Sequence, residues 1–99
     1  MKVTYGPAAV AQINRAFDHI AKDNMAAAKA FMTRVEAISS LLSQRPGVGR
    51  RTRKANVQVV GLLPYRYLMF YKMVPQRDEL RVIRVRHMRR KDAAGVRGL

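Results

Sequence analysis

The sequence predicts an α+β fold, a helical hairpin packed on one face of a small antiparallel-rich sheet, in the order β-α-α-β-β-β. Three observations predict it. Apolar residues recur at spacings of three and four from residue 10 to residue 42. From residue 57 to residue 87 the pattern changes to β-branched and aromatic residues with period two. Breakers separate the segments at Gly6-Pro7, Arg45 to Gly49, Pro64 and Pro75 to Asp78. The chain has 99 residues, and residues 1–99 are expected to form a single domain.

Each element follows from its local pattern. Lys2 to Tyr5 alternate before Gly6-Pro7 and read as a short strand. Val10, Ile13, Phe17 and Ile20 form one apolar stripe of a helix over residues 7–22. Asp23 or Asn24 can cap a second helix, whose stripe is Met25, Ala28, Met32, Val35, Ile38 and Leu42, widened by Phe31 and Leu41. The short joint makes the two helices antiparallel neighbours. Arg45-Pro46-Gly47-Val48-Gly49 ends the second helix, and Arg50-Arg51-Thr52-Arg53-Lys54 continues as a basic loop. Val57 to Leu63 reads as a strand, with Gly61 as a candidate bulge. Tyr65 to Met73 reads as the next, with Tyr65, Tyr67, Met69, Tyr71 and Met73 on one face and Arg66, Leu68, Phe70 and Lys72 on the other. After a turn, Leu80 to His87 returns as a hairpin strand. Strict alternation puts Arg81, Ile83, Val85 and His87 on one face of that strand and Val82, Arg84 and Arg86 on the other.

Charge is the strongest functional signal. Twenty Lys and Arg face six Asp and Glu, a net charge of +14. Residues 1–44 carry a net of +2 and residues 45–99 a net of +12. So strong a field in half a small domain calls for an anionic partner, either nucleic acid or an acidic protein segment. Arg outnumbers Lys, which suits bidentate contact with phosphate or carboxylate. Cysteine is absent, so disulfides and thiolate metal sites are excluded. With two histidines and six acids, neither a metal site nor a cofactor is expected. No apolar run approaches the roughly 20 residues of a membrane helix, and the N-terminus lacks a secretory apolar region. A cytoplasmic protein with no membrane partner is the expectation.

Candidate site residues lie in three basic clusters: Arg50 to Lys54, Arg66 with Lys72, and Arg84 to Lys91. Tyr65, Tyr67 and Tyr71 sit among them and can either stack on single-stranded bases or pack in the core. His87 is the candidate proton carrier, with a structural histidine at a strand end as the alternative. His19 reads as a surface residue of the first helix. No carboxylate pair or glycine-rich phosphate loop is evident.

Four motifs in order resemble the ParE/RelE toxins of type II toxin–antitoxin systems over nearly the whole chain. They are the helix restart at Asn24-Met25-Ala26-Ala27-Ala28, the loop Arg45-Pro46-Gly47-Val48-Gly49-Arg50, the strand Leu63-Pro64-Tyr65-Arg66-Tyr67 running on to Tyr71, and the ending Arg84-Val85-Arg86-His87-Met88-Arg89-Arg90. The resemblance implies a toxin, of the plasmid-stabilisation kind, neutralised by a cognate antitoxin protein with an acidic segment. Acids of that segment are expected to meet Arg50, Arg51, Arg66 and Arg86. The ending is closer to ParE-like members, which poison DNA gyrase without a recognised catalytic residue, and there Arg84, Arg86, Arg89 and Arg90 are the expected target contacts. The alternative is a RelE-like enzyme that cleaves mRNA on the ribosome, with His87 moving a proton and Arg66 and Arg90 stabilising the charged transition state. The chain has no tyrosine after Tyr71, unlike RelE-like members with a late tyrosine. A basic nucleic-acid-binding protein without toxicity is the third class.

Overall fold

A computed structural model describes residues 1–89. Its elements are β1 (Lys2–Tyr5), α1 (Pro7–Asp23), α2 (Met25–Gln44), β2 (Arg50–Arg51), β3 (Val57–Gly61), β4 (Tyr67–Val74) and β5 (Glu79–His87). The strands form one sheet in the order β1-β5-β4-β3-β2. β1 runs parallel to β5 and the remaining pairs are antiparallel. The α+β architecture therefore agrees with the sequence expectation. Arg50–Arg51, expected in a loop, instead forms the short edge strand β2, with Arg50 opposite Val59 and Arg51 opposite Gln58.

The helices begin and end for local reasons. Pro7 stands at the first turn of α1, where its missing N–H costs nothing. Asn24 closes α1 through its backbone N–H to the Ile20 carbonyl and opens α2 by accepting the Ala27 N–H on Oδ1 at 3.0 Å. The buried face of α1 is Ala9, Ile13 and Ala16, and that of α2 is Ala28, Phe31, Val35, Ile38 and Leu42. Val10 and Met25, placed in the expected stripes, are exposed at 45% and 51%. The stripe of α1 is rotated because the small side chains of Ala9 and Ala16 face inward and bring the helix close to the sheet.

The main core lies between the hairpin and the sheet, where Ile13, Phe31, Val35 and Leu42 meet Met69, Tyr71, Leu80, Val82 and Val85. A second cluster, Val57, Val59 and Phe70 with Leu68 and Ile83, lies on the other face. The faces expected for β4 are those observed. Those of β5 are not, because its register against β4 shifts: Tyr71 pairs with Val82, but Phe70 pairs with Arg84. Ile83 is the extra residue of this bulge. One extra residue reverses every side chain beyond it. Val82 and Val85 thus share the helix-side core, while Ile83 joins the cluster on the open face. Gly61, by contrast, pairs with Leu68 in unbroken register and marks no bulge. β3 stops at Gly61 because Leu62 to Arg66 turns the chain, closed by Tyr65 N–H to Leu62 O and Leu62 N–H to Tyr67 O, both at 3.0 Å. The Leu63–Pro64 peptide in this turn is cis.

Candidate functional site

The open face of the sheet carries the basic groups. Arg50, Arg51, Thr52 and Arg53 from β2 and its following turn, Val59 from β3, Leu68 and Phe70 from β4, and Arg86 from β5 line one shallow cleft of about 500 Å³. Pairing of Leu68 with Arg86 and of Phe70 with Arg84 sets those arginines beside the apolar strip. The Arg86 guanidinium lies 5.4 Å from the centre of the Phe70 ring, a cation–π contact, and its Nη1 donates to the His87 carbonyl at 3.2 Å. Strand alternation explains the arrangement: the residues between the core-facing Met69, Tyr71 and Val85 must face outward.

β2 is held in place from below. The Tyr71 hydroxyl, inside the main core, donates to the Pro46 carbonyl at 2.8 Å and accepts the Gly49 N–H at 2.9 Å. Burial raises the pKa of this phenol, and the Gly49 N–H opposes the shift. Gln58 Nε2 adds a bond to the Gly49 carbonyl at 3.1 Å. The loop that delivers Arg50 and Arg51 is therefore anchored on both sides of Gly49. Gly49 is needed there because a Cβ would come within 3.0 Å of the Tyr71 ring at Cε1 and Cζ.

At the opposite end, Glu79 of β5 ties in β1. It accepts from the Thr4 hydroxyl at 2.6 Å and from Arg81 Nε and Nη2 at 3.0 and 2.9 Å. The Thr4 bond first, then Arg81, holds its pKa below the usual carboxylate value.

The structure sorts the expected site residues into separate places. Arg50, Arg51 and Arg86 share the open-face cleft, with Arg84 paired to Phe70 beside it. Arg66 is exposed in the turn before β4, where its carbonyl accepts the Met88 N–H at 2.8 Å, and it lines neither this cleft nor the one that holds His87. His87 faces the helix side, its ring edge-to-face on Tyr67 at 5.1 Å, and its Nδ1 accepts the Arg89 N–H at 3.1 Å. Tyr67 in turn packs on Phe31 at 5.4 Å, as does Tyr65 at 5.6 Å, so both rings belong to the helix-side packing. Arg89 is exposed just after β5, and Arg90 lies outside the described residues. Arg53 belongs to the expected Arg50 to Lys54 cluster, whereas sequence reasoning missed Val59, Leu68 and Phe70 as parts of the cleft. The alternation of β4 already set Leu68 and Phe70 on the face of Arg66 and Lys72 and was the available signal.

The basic groups thus gather on an open sheet face with the helical hairpin behind it, and among the described residues no group of three or more His, Cys, Asp or Glu could hold a metal ion. Comparison with known proteins gives the family. The sequence model described as "ParE toxin of type II toxin-antitoxin system, parDE" matches residues 3–92. The chain belongs to this ParE toxin family. Among solved structures it is similar to a chain of the chromosomal ParDE toxin–antitoxin system from P. aeruginosa, with a TM-score of 0.76 and 17% identity, over 88% of this chain and 95% of that one. At that identity the likeness concerns the fold. No curated protein sequence matches the chain. Among the described residues, no helix is long and apolar enough to cross a membrane.

Proposed function

We propose that the chain inhibits DNA gyrase in the cytoplasm as the toxic half of a plasmid-stabilisation module, and that a cognate antitoxin neutralises it by laying an acidic segment on the open sheet face. The observation that carries this reading is the cleft that Arg50, Arg51, Arg53 and Arg86 line together with Val59, Leu68 and Phe70. An extended or amphipathic acidic segment fits such a surface. Its apolar side chains cover the strip, and its carboxylates meet guanidinium groups whose forked geometry favours bidentate pairing. The +14 net charge draws an acidic chain from a distance and speeds encounter. Arg84 and Arg86 in β5, with Arg89 and Arg90 following it in the chain, are the proposed gyrase contacts. Arg86 is common to both sets, so a bound antitoxin blocks the target by occupying it.

The test is a gyrase supercoiling assay with purified protein. Inhibition and trapped cleaved DNA are expected, both lost when Arg84 and Arg86 are changed to Glu and both suppressed by the antitoxin. Untouched supercoiling at high molar excess, together with arrested translation, would overturn the gyrase reading in favour of ribosome-dependent mRNA cleavage.

A further inference from the structure

A second cleft, of about 310 Å³, opens on the other side of the sheet between α1 and β5. Gln12, Arg15, Ala16 and His19 line it from α1, Val85, Arg86 and His87 from β5, and Tyr67 from β4. The four α1 residues fall at positions i, i+3, i+4 and i+7, one face of a helix. That face is available because β1 ends at Tyr5, opposite Val82, and leaves the next stretch of β5 without a strand on that side. Gln12 Oε1 takes over there and accepts the Val85 N–H at 2.7 Å. With Oε1 so used, its Nε2 amide is the group that can donate into the cleft.

Among the described residues, no acid lines this cleft. Its floor is apolar, Ala16 and Val85, both buried. One end is aromatic, formed by the packed rings of Tyr67 and His87. Arg86 contributes to the wall, but its guanidinium lies toward Phe70, so the groups that face a ligand here are the Arg15 guanidinium and the His19 imidazole. Both are exposed on α1. Four residues apart on a helix, their Cβ atoms lie about 5–6 Å from each other, close enough to reach one phosphate.

We propose that this cleft binds a single nucleotide, its phosphate held by Arg15 and His19 and its base set over Ala16 and Val85 against the Tyr67–His87 end. A volume of about 310 Å³ is at the lower bound of ordinary ligand clefts, the size of one nucleotide rather than a duplex. An aromatic end with an apolar floor takes a base by stacking and burial, and the guanidinium fork takes the phosphate. The nucleotide is either free or one unit of a single strand, and the two share this chemistry. The site lies on the face opposite the arginine-lined cleft and does not depend on the gyrase reading.

The test follows amide and histidine ring NMR signals of the purified protein during titration with adenosine 5′-monophosphate, inorganic phosphate and an unphosphorylated tetranucleotide. Adenosine 5′-monophosphate is expected to give saturable shifts at Gln12, His19 and His87. Inorganic phosphate is expected to bind more weakly and to shift chiefly the signals around Arg15 and His19. Arg15→Gln should weaken nucleotide binding about fivefold or more, because it removes a charge-assisted pair, while Arg51→Gln should leave it unchanged. The same residues responding to the tetranucleotide would assign the nucleotide to a strand, and a response to the monophosphate only would assign it to the free form. Absence of saturable binding, phosphate binding as tightly as the nucleotide, shifts confined to Arg50 to Arg53, or an Arg15→Gln variant with unchanged affinity would each overturn the proposal.

Discussion

Tyr71→Phe isolates the anchor beneath the arginine-bearing loop. The substitution keeps the ring, which is fully buried, and removes the hydroxyl. Two hydrogen bonds go with it, the donation to Pro46 O at 2.8 Å and the acceptance from Gly49 N at 2.9 Å. Each such bond contributes about 1 kcal/mol net, and the two backbone groups lose a partner in a part-buried place, so a loss of about 2 kcal/mol is expected. For a domain of this length each kcal/mol moves Tm by about 4–8 °C, so the midpoint should fall by roughly 8–16 °C. Circular dichroism in a thermal scan and in urea reads this directly, with the urea slope unchanged because the surface exposed on unfolding is the same. Gly49→Ala should also destabilise, since its Cβ meets the same ring. Combined with Tyr71→Phe it should cost less than the sum, because the nearest atom a Gly49 Cβ would meet is the Tyr71 hydroxyl oxygen, which Phe lacks. Arg50 and Arg51 should then be delivered less firmly, slowing antitoxin association beyond what an equally destabilising change in the helices does. A Tyr71→Phe loss below about 0.5 kcal/mol, or additive effects in the double variant, would refute the anchor, since a bond of this kind has a typical net value near 1 kcal/mol.

Asn24→Ala removes the side-chain cap on the Ala27 N–H and should cost about 1 kcal/mol in chemical denaturation, with the sheet register unchanged. The pKa of Glu79 is lowered in the fold by Thr4 and then by Arg81, so its contribution to stability is fully present above the unfolded carboxylate value and is lost as pH falls through the lower folded value. Glu79→Gln should therefore flatten the acid limb of a stability–pH curve below about pH 4.3, near the reference value of an unfolded Glu, and an unchanged limb would show that other carboxylates dominate. Antitoxin association should slow sharply as salt rises from about 0.05 to 0.5 M, where the Debye length shortens from above to below about 10 Å. Charge reversal at Arg50 and Arg51 should slow it more than reversal at Lys22, and a rate insensitive to both would point to a grip on the helices instead.

Much of the fold was legible because its signals are local. Asp23 and Asn24 both read as caps from their type and their place before an apolar periodicity, and Asn24 is the one that caps. The faces of β4 follow from alternation, which holds through Tyr71. The failures came where pairing partners decide. Ile83 looks like any other β-branched strand residue, yet it is the one residue that β4 does not match, and that mismatch turns Val82 and Val85 to the same side. Val10 seemed the natural core residue of the first helix, but two alanines let the backbone approach instead. Arg50 and Arg51 carry no strand signal of their own and pair because Tyr71 and Gln58 hold Gly49 in place.

The chain of residues by itself determined the element order, the basic second half and the resemblance to a toxin family, because composition, periodicity and breakers act within a few residues of their cause. Which arginines share a surface was decided by the tertiary structure. Register between distant strands sets that, and one inserted residue in β5 is enough to change it. The same holds for His19 and His87, 68 positions apart, which meet in one cleft only because β1 stops short and α1 lies along the vacated edge of β5.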